Sequence, residues 1–132
     1  MRNQDWAERL VEFLAGKHEF DWAEFNCALF AADAVKVQTG VDFAKAYRGP
    51  KTKRGMISRL RKVCGGDVVA AATKELGQPI NVRLANRGDV VAAVFNGENA
   101  LGICLGSSSA FISEFDGLIY IPTGKCIEAW KI

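Results

Sequence analysis

The sequence predicts an α+β protein, with N-terminal helices packed on one side of a C-terminal antiparallel sheet of about five strands. Three observations carry that expectation. Apolar residues recur at helical spacing through the first 76 residues. From residue 88 onward, short β-prone runs alternate with turn dipeptides. Helices come first and strands second instead of alternating with them, which is the α+β order. The 132 residues and 14.4 kDa suit a single core. We therefore read one domain over 1–132, with a helical half at 1–76 and a sheet half at 77–132.

Trp6, Leu10, Phe13 and Leu14 share one face of a first helix, with Asp5 and Glu8 in its first turn and Gly16 just past its end. Residues 17–25 form an aromatic loop carrying Phe20, Trp22 and Phe25. Asn26 is a good N-cap for a second helix running to Thr39-Gly40, and Cys27 to Val35 is apolar nearly all round, as a buried central helix requires. Residues 41–49 read as a short helical turn ending at Gly49-Pro50. Met56, Ile57, Leu60 and Val63 define a third helix stopped by Gly65-Gly66, and Asp67 caps a fourth that ends near Leu76. The expected strands are Val90–Phe95, Leu101–Leu105, Ala110–Ser113, Leu118–Ile121 and Cys126–Trp130. Asn96-Gly97, Gly106-Ser107, Asp116-Gly117 and Thr123-Gly124 separate them. Such short connections predict an antiparallel meander, because parallel pairing needs long crossovers.

Composition removes several classes. Hydrophobic residues make up 49% and charged residues 24%, too apolar a balance for a disordered chain, and the net charge of +2 creates no global field for nucleic acid. No run approaches the roughly 20 apolar residues of a membrane helix, and the start has no apolar stretch of signal-peptide type. Cys27, Cys64, Cys104 and Cys126 are dispersed with no C-x-x-C pair, so neither a metal site nor a disulfide framework is expected. They read as buried free thiols, and no cofactor is expected.

Cys27 is the residue most suggestive of chemistry. It follows a predicted N-cap, where unpaired N–H groups and the helix dipole favour a thiolate, the placement a nucleophilic cysteine needs. From position alone, a small apolar residue opening a core helix is the simpler reading. The surrounding residues add a resemblance. Phe20-Asp21-Trp22-Ala23-Glu24-Phe25-Asn26-Cys27-Ala28-Leu29-Phe30 resembles the W-G-x-x-D-C-S-G-F neighbourhood of the NlpC-type, papain-like cell-wall cysteine peptidases. Arg87-Gly88-Asp89-Val90-Val91 resembles their G-D-L-V strand opening, and Ala100 to Gly106 resembles their H-V-G-I-Y-L-G strand. More closely, the chain resembles an uncharacterised family encoded among bacteriophage and prophage tail genes. That family has W-x-x-x-D-C-x-x-F-A-A-D-x-V, T-G-x-D-x-A-x-x-x-R-G and A-L-G-V-C-L-G segments and an A-W-x-hydrophobic ending. Thr39 to Gly49 and Ala129-Trp130-Lys131-Ile132 match the second and last of these.

The resemblance implies a papain-like, NlpC-type fold with Cys27 at a vestigial catalytic position. The peptidases carry their proton-accepting histidine where this chain has Ala100, and their residues beside the cysteine are replaced by Asn26, Ala28 and Leu29. The one histidine, His18, lies in the aromatic loop and is the remaining candidate base, although an exposed loop residue is the simpler reading. Without a positioned base, cysteine catalysis loses about 10²–10⁴-fold. Asp33, in the apolar helix, needs a backbone N–H or a cation such as Arg48. Residues 45–62 are rich in Lys and Arg, with no acid between residues 43 and 66. Arg48, Arg54 and Arg59 are the expected binding residues toward acidic groups on a neighbour. The segment lacks interleaved aromatics beyond Tyr47, which weighs against nucleic acid. The resulting expectation is a structural component of a phage tail tip or baseplate with a degenerate hydrolase site, made in the bacterial cytoplasm and carried in the virion tail. Its expected partners are other tail-tip proteins, with peptidoglycan as a further one. The alternative is an active cysteine peptidase or amidase that cleaves peptidoglycan during genome entry.

Overall fold

A computed structural model describes residues 2–16, 18–23 and 26–132. Four α-helices precede a five-stranded sheet: α1 (Trp6–Ala15), α2 (Cys27–Thr39), α3 (Lys53–Cys64) and α4 (Val68–Leu76), then β1 (Val90–Phe95), β2 (Glu98–Cys104), β3 (Ser108–Ser113), β4 (Gly117–Pro122) and β5 (Glu128–Trp130). The architecture is α+β with every strand pair antiparallel. Phe25 of the expected aromatic loop lies outside the described residues. No helix among the described residues is long and apolar enough to cross a membrane.

The helix ends follow local chemistry. Asn26, Thr52 and Asp67 each accept backbone N–H groups from the first turns of α2, α3 and α4, and Gly40 and Gly65 end α2 and α3 with left-handed backbones. Leu29, Phe30, Ala34 and Val35 are at most 1% exposed, so α2 is the central helix that its apolar run implies. The segment between α2 and α3 contains a single 3-10 turn, Lys45–Tyr47. Arg48 anchors it by donating to both carboxylate oxygens of Asp42 at 2.9 and 3.1 Å and to Asp33 of α2 at 2.7 Å. Half-buried Asp33 thus has the arginine partner expected for it. Arg59 of α3 completes the clamp by donating to the carbonyls of Ala46 and Arg48.

The sheet order is β4-β3-β2-β1-β5, so the expected meander holds for four strands and fails for the last. After β4 the chain crosses through a 3-10 turn, Thr123–Lys125, and β5 pairs with the open side of β1. The crossing is fastened from inside: the Thr123 hydroxyl donates to the Gly106 carbonyl at 2.7 Å and meets the Ser109 hydroxyl at 2.8 Å. Short linkers alone do not say on which side of the sheet a final strand lands. A buried cluster on the sheet's second face, with Val91, Ala93, Cys104, Phe111, Cys126 and Ala129, settles it here by drawing β5 toward β1. The helices cover the other face, where Val90, Ala92, Leu101, Ile103 and Trp130 join their apolar side chains. The Asn96-Gly97 turn has positive φ at both residues, as a tight two-residue hairpin demands, and so brings Glu98 and Asn99 to the sheet's end beside α2.

The Arg48 clamp is testable. Arg48 holds the Asp42 carboxyl below its ordinary value of 3.8. A lowered folded pKa contributes stability that is complete above the unfolded value and lost as pH falls through the folded one. Arg48→Ala should cost about 1–2 kcal/mol at neutral pH, given a site about one-third exposed. The deficit should shrink as pH falls below 3.8 and the Asp42 carboxylate becomes protonated. Urea denaturation across that range checks this, and a deficit independent of pH would assign the cost to packing of the guanidinium stem.

Candidate functional site

Cys27 is the first residue of α2. Asn26 before it is buried, accepts the Leu29 N–H at 3.0 Å and donates to the Trp22 carbonyl at 3.2 Å, which ties the aromatic loop to the helix start. The thiol lies near β2, and the backbone amides of Leu101, Ala28 and Cys27 favour its charged form. The helix-terminal placement favours a thiolate, but burial acts in the opposite direction. Burial pushes the Cys27 thiol above its ordinary 9.0, the three N–H groups offset this only in part, and the nearby Glu98 carboxylate raises it further. The magnitudes explain the sign. A helix terminus is worth about 0.3–1 kcal/mol, whereas full desolvation can move a pKa by up to about 3–5 units. At neutral pH the group is a protonated thiol.

Two cavities meet at this thiol. One, of about 320 Å³, runs between Trp22, α3 (Met56, Ile57, Leu60) and the start of α4. The other, of about 480 Å³, lies between Trp22, the β1–β2 turn and the β3–β4 hairpin. Trp22, Cys27, Lys53, Glu98 and Asn99 line both. Lys53, the first residue of α3, reaches across to Glu98, the first residue of β2, with Nζ 2.9 Å from Oε1. Below this bridge Asn99 donates to Asp67 Oδ2 at 2.7 Å, while the other oxygen of Asp67 caps α4. The pair with Glu98 raises the Lys53 ammonium pKa, and Glu114 adds to the effect.

Ala100 lines the larger cavity and packs against the cluster on the sheet's second face, so the position where the resemblance implies a base carries no proton acceptor. His18 is half-buried, not exposed. Its ring packs 4.9 Å from Phe13 and 6.2 Å from Phe30, and Nε2 bonds the Phe13 carbonyl at the end of α1. It lines neither of the cavities at Cys27. Of the three arginines expected at a binding surface, Arg48 and Arg59 take part in the clamp on residues 42–48. Arg54 remains exposed. With Lys51, Arg61 and Lys62 it forms a basic side of α3 that makes no ion pair among the described residues.

The sequence reading missed Lys53, Glu98 and Asn99 as cleft residues. The Asn96-Gly97 turn placed the last two at a hairpin tip, but nothing local said that α3 would lie opposite. A buried group was missed as well. Asp89, fully buried, accepts from Arg2, Lys131 and the N–H groups of Asn86 and Ile132.

These features define a class: an α+β domain with a half-buried, protonated thiol at a helix N-terminus and a divided cleft over it. The chain belongs to the family described as a domain of unknown function (DUF6950), which matches it over residues 1–132. Comparison with curated proteins gives no match.

The protonated state makes a direct prediction. Iodoacetamide should alkylate Cys27 at pH 7 several-fold more slowly than a free cysteine, with the rate still rising above pH 9, since the thiolate is the nucleophile. Peptide mass spectrometry separates it from Cys64. Labelling at pH 6 as fast as that of an activated thiol would refute the assignment.

Proposed function

We propose that this protein is a structural component of a bacteriophage tail tip or baseplate, built on a papain-like, NlpC-type domain whose hydrolase site has lost its base. The observation that carries the reading is that Cys27 opens α2 beside β2 while the residue at the resemblance's histidine position, Ala100, lines the same cavity with no titratable group. The cysteine keeps the helix-terminal placement of a nucleophile, while the group that would take its proton is absent and the thiol stays protonated. The segments around Cys27, Thr39 to Gly49 and Ala100 to Gly106 support it through their resemblance to phage tail-gene products. In this reading the virion tail is the protein's final location, and other tail-tip subunits are its partners.

The basic side of α3 is the surface we assign to those contacts. Arg54 and Arg61 are exposed and unpaired, and an interface draws much of its energy from such arginines once they meet acidic groups. The helix-terminal cysteine also favours a second reading, an active peptidoglycan peptidase or amidase that draws its base from a partner.

One set of measurements separates the two. Arg54→Glu with Arg61→Glu should leave the fold intact, because exposed charges contribute about 0–1 kcal/mol, yet should reduce incorporation into particles at least tenfold. Zymography of the wild-type chain on peptidoglycan should show no clearing. Clearing that is lost on Cys27→Ala would establish the hydrolase instead, and normal particles from the double variant would remove the assigned surface.

A further inference from the structure

The larger cavity at Cys27 has a composition that neither catalysis nor the basic side of α3 accounts for. Phe20, Trp22, Phe95 and Phe115 wall it, and Glu98, Glu114 and Asp116 stand around its mouth. Phe115, at the tip of the β3–β4 hairpin, is 88% exposed, the most exposed large apolar side chain among the described residues. Its flanking acids, Glu114 and Asp116, form no ion pair among the described residues. One cation already sits at this rim. Lys53 crosses from α3 to place its ammonium 2.9 Å from Glu98. The pair is exposed on both sides, so it contributes little and exchanges readily.

We propose that this cavity receives a lysine or arginine side chain of a partner protein, with its aliphatic stem on the aromatic wall and its cationic head displacing Lys53 at the carboxylates. Both halves of the site select that chemistry. Aromatic faces attract a cation and pack against the methylene stem that such a residue carries. The carboxylates add charge-assisted hydrogen bonds and repel an acidic side chain. A neutral apolar residue would use the wall and leave the acids unpaired. Lys53 is then an internal competitor whose position marks where the incoming head binds. The inference goes beyond the assembly reading and stands on the cleft alone, so either can fail without the other.

The test uses the full chain, isotopically labelled, with acetyl-Ala-Lys-Ala-amide as probe and its Nε-acetyl-lysine counterpart as control. NMR reads the Trp22 indole and the amides of residues 96–99 and 113–117. The lysine probe should produce saturable shifts confined to those signals. Neutralising its head by acetylation should weaken binding about tenfold, as should Glu114→Gln combined with Asp116→Asn. Lys53→Met should tighten binding about threefold, since it removes a competing exposed pair. These positions are exposed, and each spectrum reports directly on whether its variant is folded. Four outcomes would overturn the inference: equal binding of the acetylated peptide, no saturable shift, weaker binding by Lys53→Met, or shifts centred on the acidic side of α1 at Glu8 and Glu12.

Discussion

The carboxylate of Asp89 is the point from which the two halves of the molecule take their relative position. A buried carboxylate is tolerated only where hydrogen-bond donors replace its lost water, and removing one partner from a buried charge pair costs about 3–5 kcal/mol. Here the donors come from distant parts of the chain: Arg2 ahead of α1, Asn86 ahead of β1, and Lys131 and Ile132 after β5. Arg2 also lies over the Trp6 ring at 4.2 Å, which carries the constraint into α1. Next to it, the Gln38 side chain at the end of α2 donates to the Gly88 carbonyl. Gly88 has φ of +93°, and a Cβ there would collide with Gln38, so only glycine lets the helix and the strand entry approach this closely. With β1 held in this way, β2 and β5 pair on its two sides.

That junction fixes one end of the layer between α2 and the sheet, and the Cys27 cleft opens at the other. Asn26 secures the helix start to the aromatic loop, and the Asn96-Gly97 hairpin delivers Glu98 and Asn99 opposite it. Packing takes the half-buried thiol partly out of water, and that desolvation decides its chemistry. The N–H groups that would stabilise a thiolate are present, but they act against a larger desolvation cost. A site of this kind becomes nucleophilic only if a base removes the proton; Ala100 and the committed His18 leave no imidazole beside it among the described residues, and the nearby Glu98 carboxylate is tied to Lys53. What persists is a shaped, aromatic and acidic cleft, which suits recognition better than bond breaking. The proposed structural role and the proposed seat for a cationic side chain are both consistent with that balance.

The charged segment between α2 and α3 shows how identical residue types divide into scaffold and surface. Arg48 and Arg59 are consumed by Asp33, Asp42 and two backbone carbonyls, whereas Arg54 faces solvent. In sequence Asp33 pointed to Arg48, but nothing local separates Arg59 from Arg54. The difference arises because residues 42–48 form only one 3-10 turn and expose carbonyls that a guanidinium can satisfy.

Local chemistry written in the sequence determined the elements themselves. Asn26, Thr52 and Asp67 as caps, Gly40 and Gly65 as stops, the all-apolar α2 and the Asn96-Gly97 turn act over a few residues, where propensity and hydrogen bonding suffice. Cys27 at a helix start and an arginine partner for Asp33 were legible for the same reason. Only the tertiary structure decided the partners across space: β5 beside β1, Lys53 against Glu98, four donors on Asp89, and a thiol whose pKa rises instead of falling. Those outcomes depend on which distant surfaces exclude water together. Desolvation belongs to the packed whole, and no local stretch of sequence carries it.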